Sequence, residues 1–108
     1  MNIEALREYV LQKEEVTEGF PFGDTVLVFK VKSKIFLLVP LDTAHLQFNV
    51  KCDPEKAIEL RETYPRAVLP GYHMNKKHWN TVIVDGTLSA KQLLGMVDES
   101  YNLIGKFK

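Results

Sequence analysis

The sequence predicts a two-layer α+β domain with a largely antiparallel sheet. Three strand-like stretches follow one another between residues 25 and 51, which is typical of a meander. The third stretch alternates, with Leu46, Phe48 and Val50 on one face. The polar residues of its opposite face are His45, Gln47, Asn49 and Lys51. A sheet with one polar face predicts helices on the other face only.

The first element is a predicted helix, followed by a long loop. Asn2 is a predicted N-cap, and apolar residues at helical spacing continue to about Lys13. Glycines and a proline punctuate residues 14–24, which we therefore predict to be a loop. We expect Phe20 and Phe22 to fold this loop onto the core, and a surface aromatic contact for a partner is the alternative.

The predicted strands are rich in β-branched and aromatic residues. They span residues 25–31, 35–40, 45–51, 68–69 and 79–84. Residues 32–34 form the turn of the first hairpin, and residues 41–44 form a longer turn.

Two further helices are indicated by their capping residues. Asp53 as N-cap and Pro54 as the first helical residue begin the second helix. Its predicted apolar contacts are Ala57, Ile58 and Leu60. Ser89 and Gln92 form a capping-box pattern for the third helix, which we expect to end at Gly105. The predicted order is α-β(3)-α-β(2)-α in one domain, residues 1–108.

The composition of the chain argues against several classes of protein function. The chain has 108 residues with 14 basic and 14 acidic side chains, so its net charge is zero. This balance argues against a strongly basic nucleic-acid binder. No apolar run approaches the roughly 20 residues that span a bilayer, so we expect no membrane partner. The charged beginning is unlike a signal peptide, and a single cysteine, Cys52, fits a reducing compartment. The expected location is therefore the cytoplasm.

Several segments together resemble the MmcQ/YjbR family over nearly the whole chain. They are residues 20–23 (FPFG), 28–31 (VFKV), 34–36 (KIF), 50–55 (VKCDPE), 72–80 (YHMNKKHWN) and 100–103 (SYNL). The resemblance implies a YjbR-like α/β fold and the family's usual description as a "double wing" DNA-binding domain. Ser33 departs from this pattern, since the family often has glycine in that hairpin turn.

Catalytic and metal sites are not indicated by the sequence. His73 and His78 are five residues apart and isolated from other ligands, so we expect them to bond to the backbone rather than to zinc. Cys52 precedes the acidic Asp53, which opposes thiolate formation, and a small buried cysteine is the expected outcome. Motifs for a nucleophilic serine or a phosphate-binding loop are absent from the sequence. We therefore expect no enzyme activity, no catalytic residues, no metal and no cofactor.

The favoured function is weak, salt-sensitive DNA binding. Lysines of the first hairpin and of the segment before the last strand are suited to contact phosphate, namely Lys32, Lys34, Lys51, Lys76 and Lys77. Asn49, Asn75 and His73 are the predicted polar readers of bases. A solvated hairpin edge, on which lysines prevent aggregation, explains the same lysines without any function.

The alternative is a module that binds a protein or a small anionic ligand. Its polar pocket lies between the sheet face and the loop of residues 73–79. This alternative requires the side chains of Lys51, His73, Asn75 and Lys76 to converge in one pocket, with the hairpin pointing elsewhere. Lysine and histidine side chains are suited to bind an anion. DNA binding instead requires the hairpin and loop lysines on one continuous face.

Overall fold

The computed structural model describes residues 1–71 and 74–106. The elements are α1 (Ile3–Leu11), β1 (Val16–Gly19), β2 (Val26–Val31), β3 (Lys34–Pro40), β4 (Gln47–Lys51), α2 (Pro54–Thr63), β5 (Val68–Pro70), β6 (Trp79–Ile83) and α3 (Ala90–Gly105). The strands form one sheet in the order β1-β2-β3-β4-β6-β5, with antiparallel neighbours throughout. The predicted α+β class is confirmed.

Strand β1 lies inside the segment that the sequence predicted to be a loop, so that prediction is wrong for residues 16–19. Val16 pairs with Val31 and Gly19 pairs with Val28 along the edge of β2. Val16 is the one large apolar residue of the segment, so apolar and polar residues do not alternate in it. The strand exists because a long neighbouring strand offers it a partner, which is a tertiary effect.

The predicted helix caps are confirmed. The side chain of Asn2 accepts a hydrogen bond from the Ala5 amide at 2.8 Å, and Asp53 caps α2. The Ser89 hydroxyl accepts from the Gln92 amide at 3.1 Å, and the Gln92 side chain accepts from the Ser89 amide at 2.9 Å. In the described part of the chain, no helix is long and apolar enough to cross a membrane.

Helix α2 buries less apolar surface than predicted. Ala57 is fully buried and Leu60 is half-buried, as expected. Ile58 is 50% exposed, so its predicted core contact is wrong. Because Ile58 follows Ala57 by one residue, it lies about 100° further round the helix and points away from the sheet.

The core lies between the helices and one face of the sheet. Its strand residues include Phe29, Leu37, Phe48 and Val82, all fully buried. A β-bulge makes Phe36 an additional core residue, because Phe29 pairs with Leu37 whereas Lys30 pairs with Ile35. The helices contribute Leu6, Val10, Leu93, Val97 and Tyr101.

The tip of the β2–β3 hairpin contacts the end of α3. Lys32 and Ser33 have φ of 51° and 67°, as a tight two-residue turn requires. Glycine is the residue best suited to this left-handed conformation, and Ser33 adopts it without that advantage. The Lys32 Nζ donates to the carbonyl of Gly105, the last residue of α3, at 3.0 Å. The hairpin is thereby fixed against the negative end of the helix.

A single buried hydroxyl connects α3 to two strands. The Ser100 Oγ donates to the Phe36 carbonyl at 2.6 Å and accepts from the Lys51 amide at 2.9 Å. Leu37 pairs with Val50 at the end of the β3–β4 ladder. Phe36 and Lys51 would form the next cross-strand pair if the ladder continued. The hydroxyl bridges the two backbone groups at the point where β3 and β4 separate.

We expect Ser100→Ala to lower the free energy of unfolding by about 1–3 kcal/mol, because it leaves buried backbone groups without a partner. Equilibrium urea unfolding measures this change. Asn102→Ala, on an exposed position of the same helix, is the control and should have little effect. Equal stability of the two variants would contradict the bridging role.

Candidate binding surface on the open face of the sheet

The helices leave one face of the sheet uncovered, and we call it the open face. Cross-strand partners share a face, so Val28, Leu38, Asn49 and Thr81 form a row across its centre. Their side chains have exposures of 1%, 6%, 6% and 4%. The expectation of a solvated polar face is therefore wrong at the centre, since loops shield this row from solvent.

A groove of about 450 Å³ lies on the open face. Its floor is apolar and includes Val26, Leu38 and Pro40. Phe22, from the loop before β2, and Met74, from the segment before β6, also line it. We call this cavity the Phe22 groove. It combines the sheet face with the loop that the sequence indicated, but its lining is mainly apolar rather than polar.

The aromatic residues of the loop between β1 and β2 are exposed. Phe20 is 50% exposed and Phe22 is 62% exposed. The prediction that they fold onto the core is wrong, because the loop borders the open face rather than the helix-covered side. Phe20 lines a smaller groove of about 240 Å³ together with Val28 and Lys30. Both rings lie at the surface, as the alternative requires, and their contact with a partner stays a prediction.

Three polar side chains are among the described residues that line the Phe22 groove: the exposed Thr25 and Asp42, and the buried Asn49. Asn49 accepts a hydrogen bond from the Thr81 hydroxyl through its Oδ1. Its Nδ2 group donates to no acceptor within residues 1–71 and 74–106. Asp42 is the one charged side chain among the described residues that line the groove. The groove thus offers an amide donor and a carboxylate beside an apolar floor.

The predicted phosphate-binding lysines are divided between two sides of the sheet. Lys51 pairs with Trp79 and lies on the open face, next to the row of Asn49. Lys34 pairs with Val31, a core residue, so it is on the helix side. Lys32 contacts the end of α3, as described above. The hairpin-tip lysines therefore do not share the face of Lys51.

Three further predicted residues, Asn75, Lys76 and Lys77, belong to the segment before β6. The Asn75 Oδ1 accepts from the Lys77 amide at 3.0 Å, so this side chain shapes the turn itself. Arg61 donates to the Lys76 carbonyl at 3.0 Å and holds the turn against α2. Both lysine side chains are exposed. His73 lies outside the described residues, so its proposed place in a pocket stays a prediction.

Cys52 is buried with an exposure of 5%, as the sequence predicted. Its amide donates to the His78 carbonyl at 2.7 Å, which joins the end of β4 to the turn before β6. Burial, followed by the negative charge of Glu99, raises the pKa of the thiol above its ordinary value. Over the described ranges, no group of three or more His, Cys, Asp or Glu side chains could hold a metal ion.

Sequence reasoning identified Asn49 as a polar reader and gave Phe22 as an alternative surface contact, but it did not identify the other residues of the Phe22 groove. Phe22 and Met74 are large apolar residues in segments rich in glycine and proline. Large apolar residues in such loop-like segments are the sequence signal that could have indicated a surface contact site. Asp42 gave no signal, because an acidic residue in a turn is common.

Comparison with known proteins identifies the class of this α+β module. The family model of YjbR matches residues 11–103. Protein YbdF of Escherichia coli O157:H7 is 36% identical over 101 residues, which cover 94% of this chain and 82% of that protein. Protein YjbR of Escherichia coli K12 is 32% identical over 101 residues, with coverages of 94% and 85%. The chain belongs to the YjbR family.

Solved structures agree with this assignment. A crystal structure of Deinococcus radiodurans protein DR2400, with family-model domain DUF419, is 40% identical and superposes with a TM-score of 0.93. The match covers 99% of this chain and 82% of that one. A Pseudomonas syringae protein is 26% identical with a TM-score of 0.78, covering 96% and 99% of the two chains. The expected family and fold are confirmed.

We expect Cys52 to react with iodoacetamide more slowly than the same cysteine in urea-unfolded protein. The raised pKa keeps the thiol protonated at neutral pH, and only the thiolate is a nucleophile. The midpoint of the pH–rate profile should lie above that of an ordinary thiol, as followed by mass spectrometry. A folded protein that reacts faster near pH 7 would contradict the inert role.

Proposed function

We propose that this YjbR-family chain is a non-catalytic cytoplasmic module that binds a protein partner through the open face. The observation that carries the proposal is the Phe22 groove, in which apolar sheet residues lie beside an aromatic ring that is 62% exposed. Large exposed aromatic residues at the edge of an apolar groove are typical of interaction sites.

Apolar surface continues beyond the groove, which favours a protein over a small ligand. Phe20, which is 50% exposed, and the exposed Pro21 line the adjacent groove together with Val28. A small molecule bound in the Phe22 groove leaves Phe20 and Pro21 in water. A protein surface buries them together with Phe22 and gains the additional hydrophobic free energy.

Site-specific photo-crosslinking in the expressing cell tests this proposal. Benzoylphenylalanine at position 22 should give discrete protein adducts, because that ring lies at the centre of the proposed interface. The matched control is the same group at position 58, where Ile58 is 50% exposed on α2 and outside the open face.

Adducts that form at position 22 and not at position 58 support the proposal. Equal adducts at both positions, or none at position 22, contradict it. The adducts from position 22 are then analysed by mass spectrometry, and nucleic acid in place of protein favours the second candidate function.

That second candidate is weak DNA binding. The specific observation in its favour is the shared open-face position of Lys51 and Trp79, with Lys76 and Lys77 exposed in the adjoining turn. These lysines can contact phosphates, and an aromatic ring can stack on an unpaired base. Lys32 contributes less than the sequence suggested, since its ammonium group binds the end of α3.

If DNA binds, fluorescence anisotropy should show an affinity that falls with salt, with a log–log slope of about −0.9 for each neutralised phosphate of a duplex. Replacing Lys76 and Lys77 by alanine should weaken binding and reduce the slope. Lys91→Ala, at an exposed position near the start of α3, is the control. Absence of binding at low salt eliminates the DNA candidate.

A further inference from the structure

We infer that the Phe22 groove receives an apolar side chain of a protein partner, and that a basic residue is next to this anchor in the partner's sequence. The inference rests on the proposed function and specifies its chemistry. It combines three features of the groove: its apolar floor, the amide of Asn49 and the carboxylate of Asp42.

The size and lining of the groove select the anchor. Its volume of about 450 Å³ is large enough for an aromatic or a large aliphatic side chain. Val26, Leu38 and Pro40 provide a floor without charge. No cation is among the described residues that line the groove, and one amide donor replaces only part of the hydration of a phosphate or a carboxylate. An aromatic or large aliphatic side chain gains from contact with the apolar floor.

The amide of Asn49 selects a hydrogen-bond acceptor next to the anchor. The residue is 6% exposed, and its Oδ1 is already bonded to Thr81. Its Nδ2 group has no acceptor within the described ranges of the chain. An occupant that covers this donor must accept its hydrogen bond, since an unpaired buried donor costs free energy. A backbone carbonyl of an extended peptide meets that requirement.

The negative charge at the groove determines which residue is favoured beside the anchor in the partner's sequence. Asp42 lines the groove, and Asp24 lies exposed in the loop that carries Phe22. A lysine or arginine beside the anchor is attracted by these carboxylates, and a cation also interacts favourably with the face of an aromatic ring. An acidic residue in the same position is repelled.

Titration of the ¹⁵N-labelled protein with blocked dipeptides tests the inference by NMR. The probes are acetyl-Phe-Lys-amide, acetyl-Phe-Glu-amide and acetyl-Ala-Lys-amide. We expect saturable shifts of the Asn49 side-chain amide signals with the first probe, several-fold weaker binding of the second and no binding of the third. Phenethylamine, a small apolar cation without a carbonyl, should bind more weakly than acetyl-Phe-Lys-amide.

Asp42→Asn should reduce the preference for lysine over glutamate while the apolar contact persists. Glu62→Gln, which removes an exposed carboxylate from α2, is the matched control and should leave the preference unchanged. Both positions are exposed, so neither variant disturbs the core. An unchanged preference in Asp42→Asn overturns the role assigned to the carboxylate.

Three results overturn the inference. The first is the absence of shifts in the Asn49 side-chain signals when acetyl-Phe-Lys-amide is added. Crosslinking from position 22 then decides whether the proposed function also fails. Equal or tighter binding of phenethylamine identifies a small ligand as the occupant. Shifts of the groove signals on dilution of the protein alone identify a second copy of this chain.

Discussion

The hydroxyl of Ser100 is the contact on which the geometry of the sheet depends. It bonds to the Phe36 carbonyl and to the Lys51 amide, where the ladder between β3 and β4 is interrupted. The Phe36 carbonyl and the Lys51 amide are therefore paired although they lie beyond the end of the β3–β4 ladder. On the far side of the same strands, this arrangement fixes the direction of Lys51 and of the row that contains Asn49. A buried group on the helix side thus sets the positions of residues on the open face.

The open face acquires its groove from loops rather than from the sheet. An antiparallel sheet without a covering layer ordinarily presents a solvated surface. Here the loop before β2 and the segment before β6 bring Phe22 and Met74 beside the central strands. Leu38 and Asn49 consequently become almost inaccessible although no helix lies above them. The sheet provides a rigid floor, and the loops provide the shape and chemistry of the site.

Features that depend on contacts between residues close in the sequence were predicted correctly, and features that depend on tertiary contacts were not. Helix caps such as Ser89 with Gln92 were predictable because the capping bonds join residues three apart. Strand β1 was not, because its residues show no alternation and the strand depends on pairing with β2. The face of Asn49 followed from alternation, but its burial depends on loops far away in the sequence. The contact between Lys32 and the end of α3 joins residues separated by 73 positions and has no local signature.

The distribution of charge favours a protein partner over DNA for the open face. A protein with no net charge has little long-range attraction for a polyanion, so its affinity must come from a local cluster of bases. The hairpin-tip lysines lie on the helix side or bind α3, and the groove itself carries Asp42. Phosphate is repelled at that point, whereas an apolar anchor with a neighbouring cation is attracted. In the proposed mode of binding, the same carboxylate that disfavours nucleic acid would favour peptides with a basic residue beside the anchor.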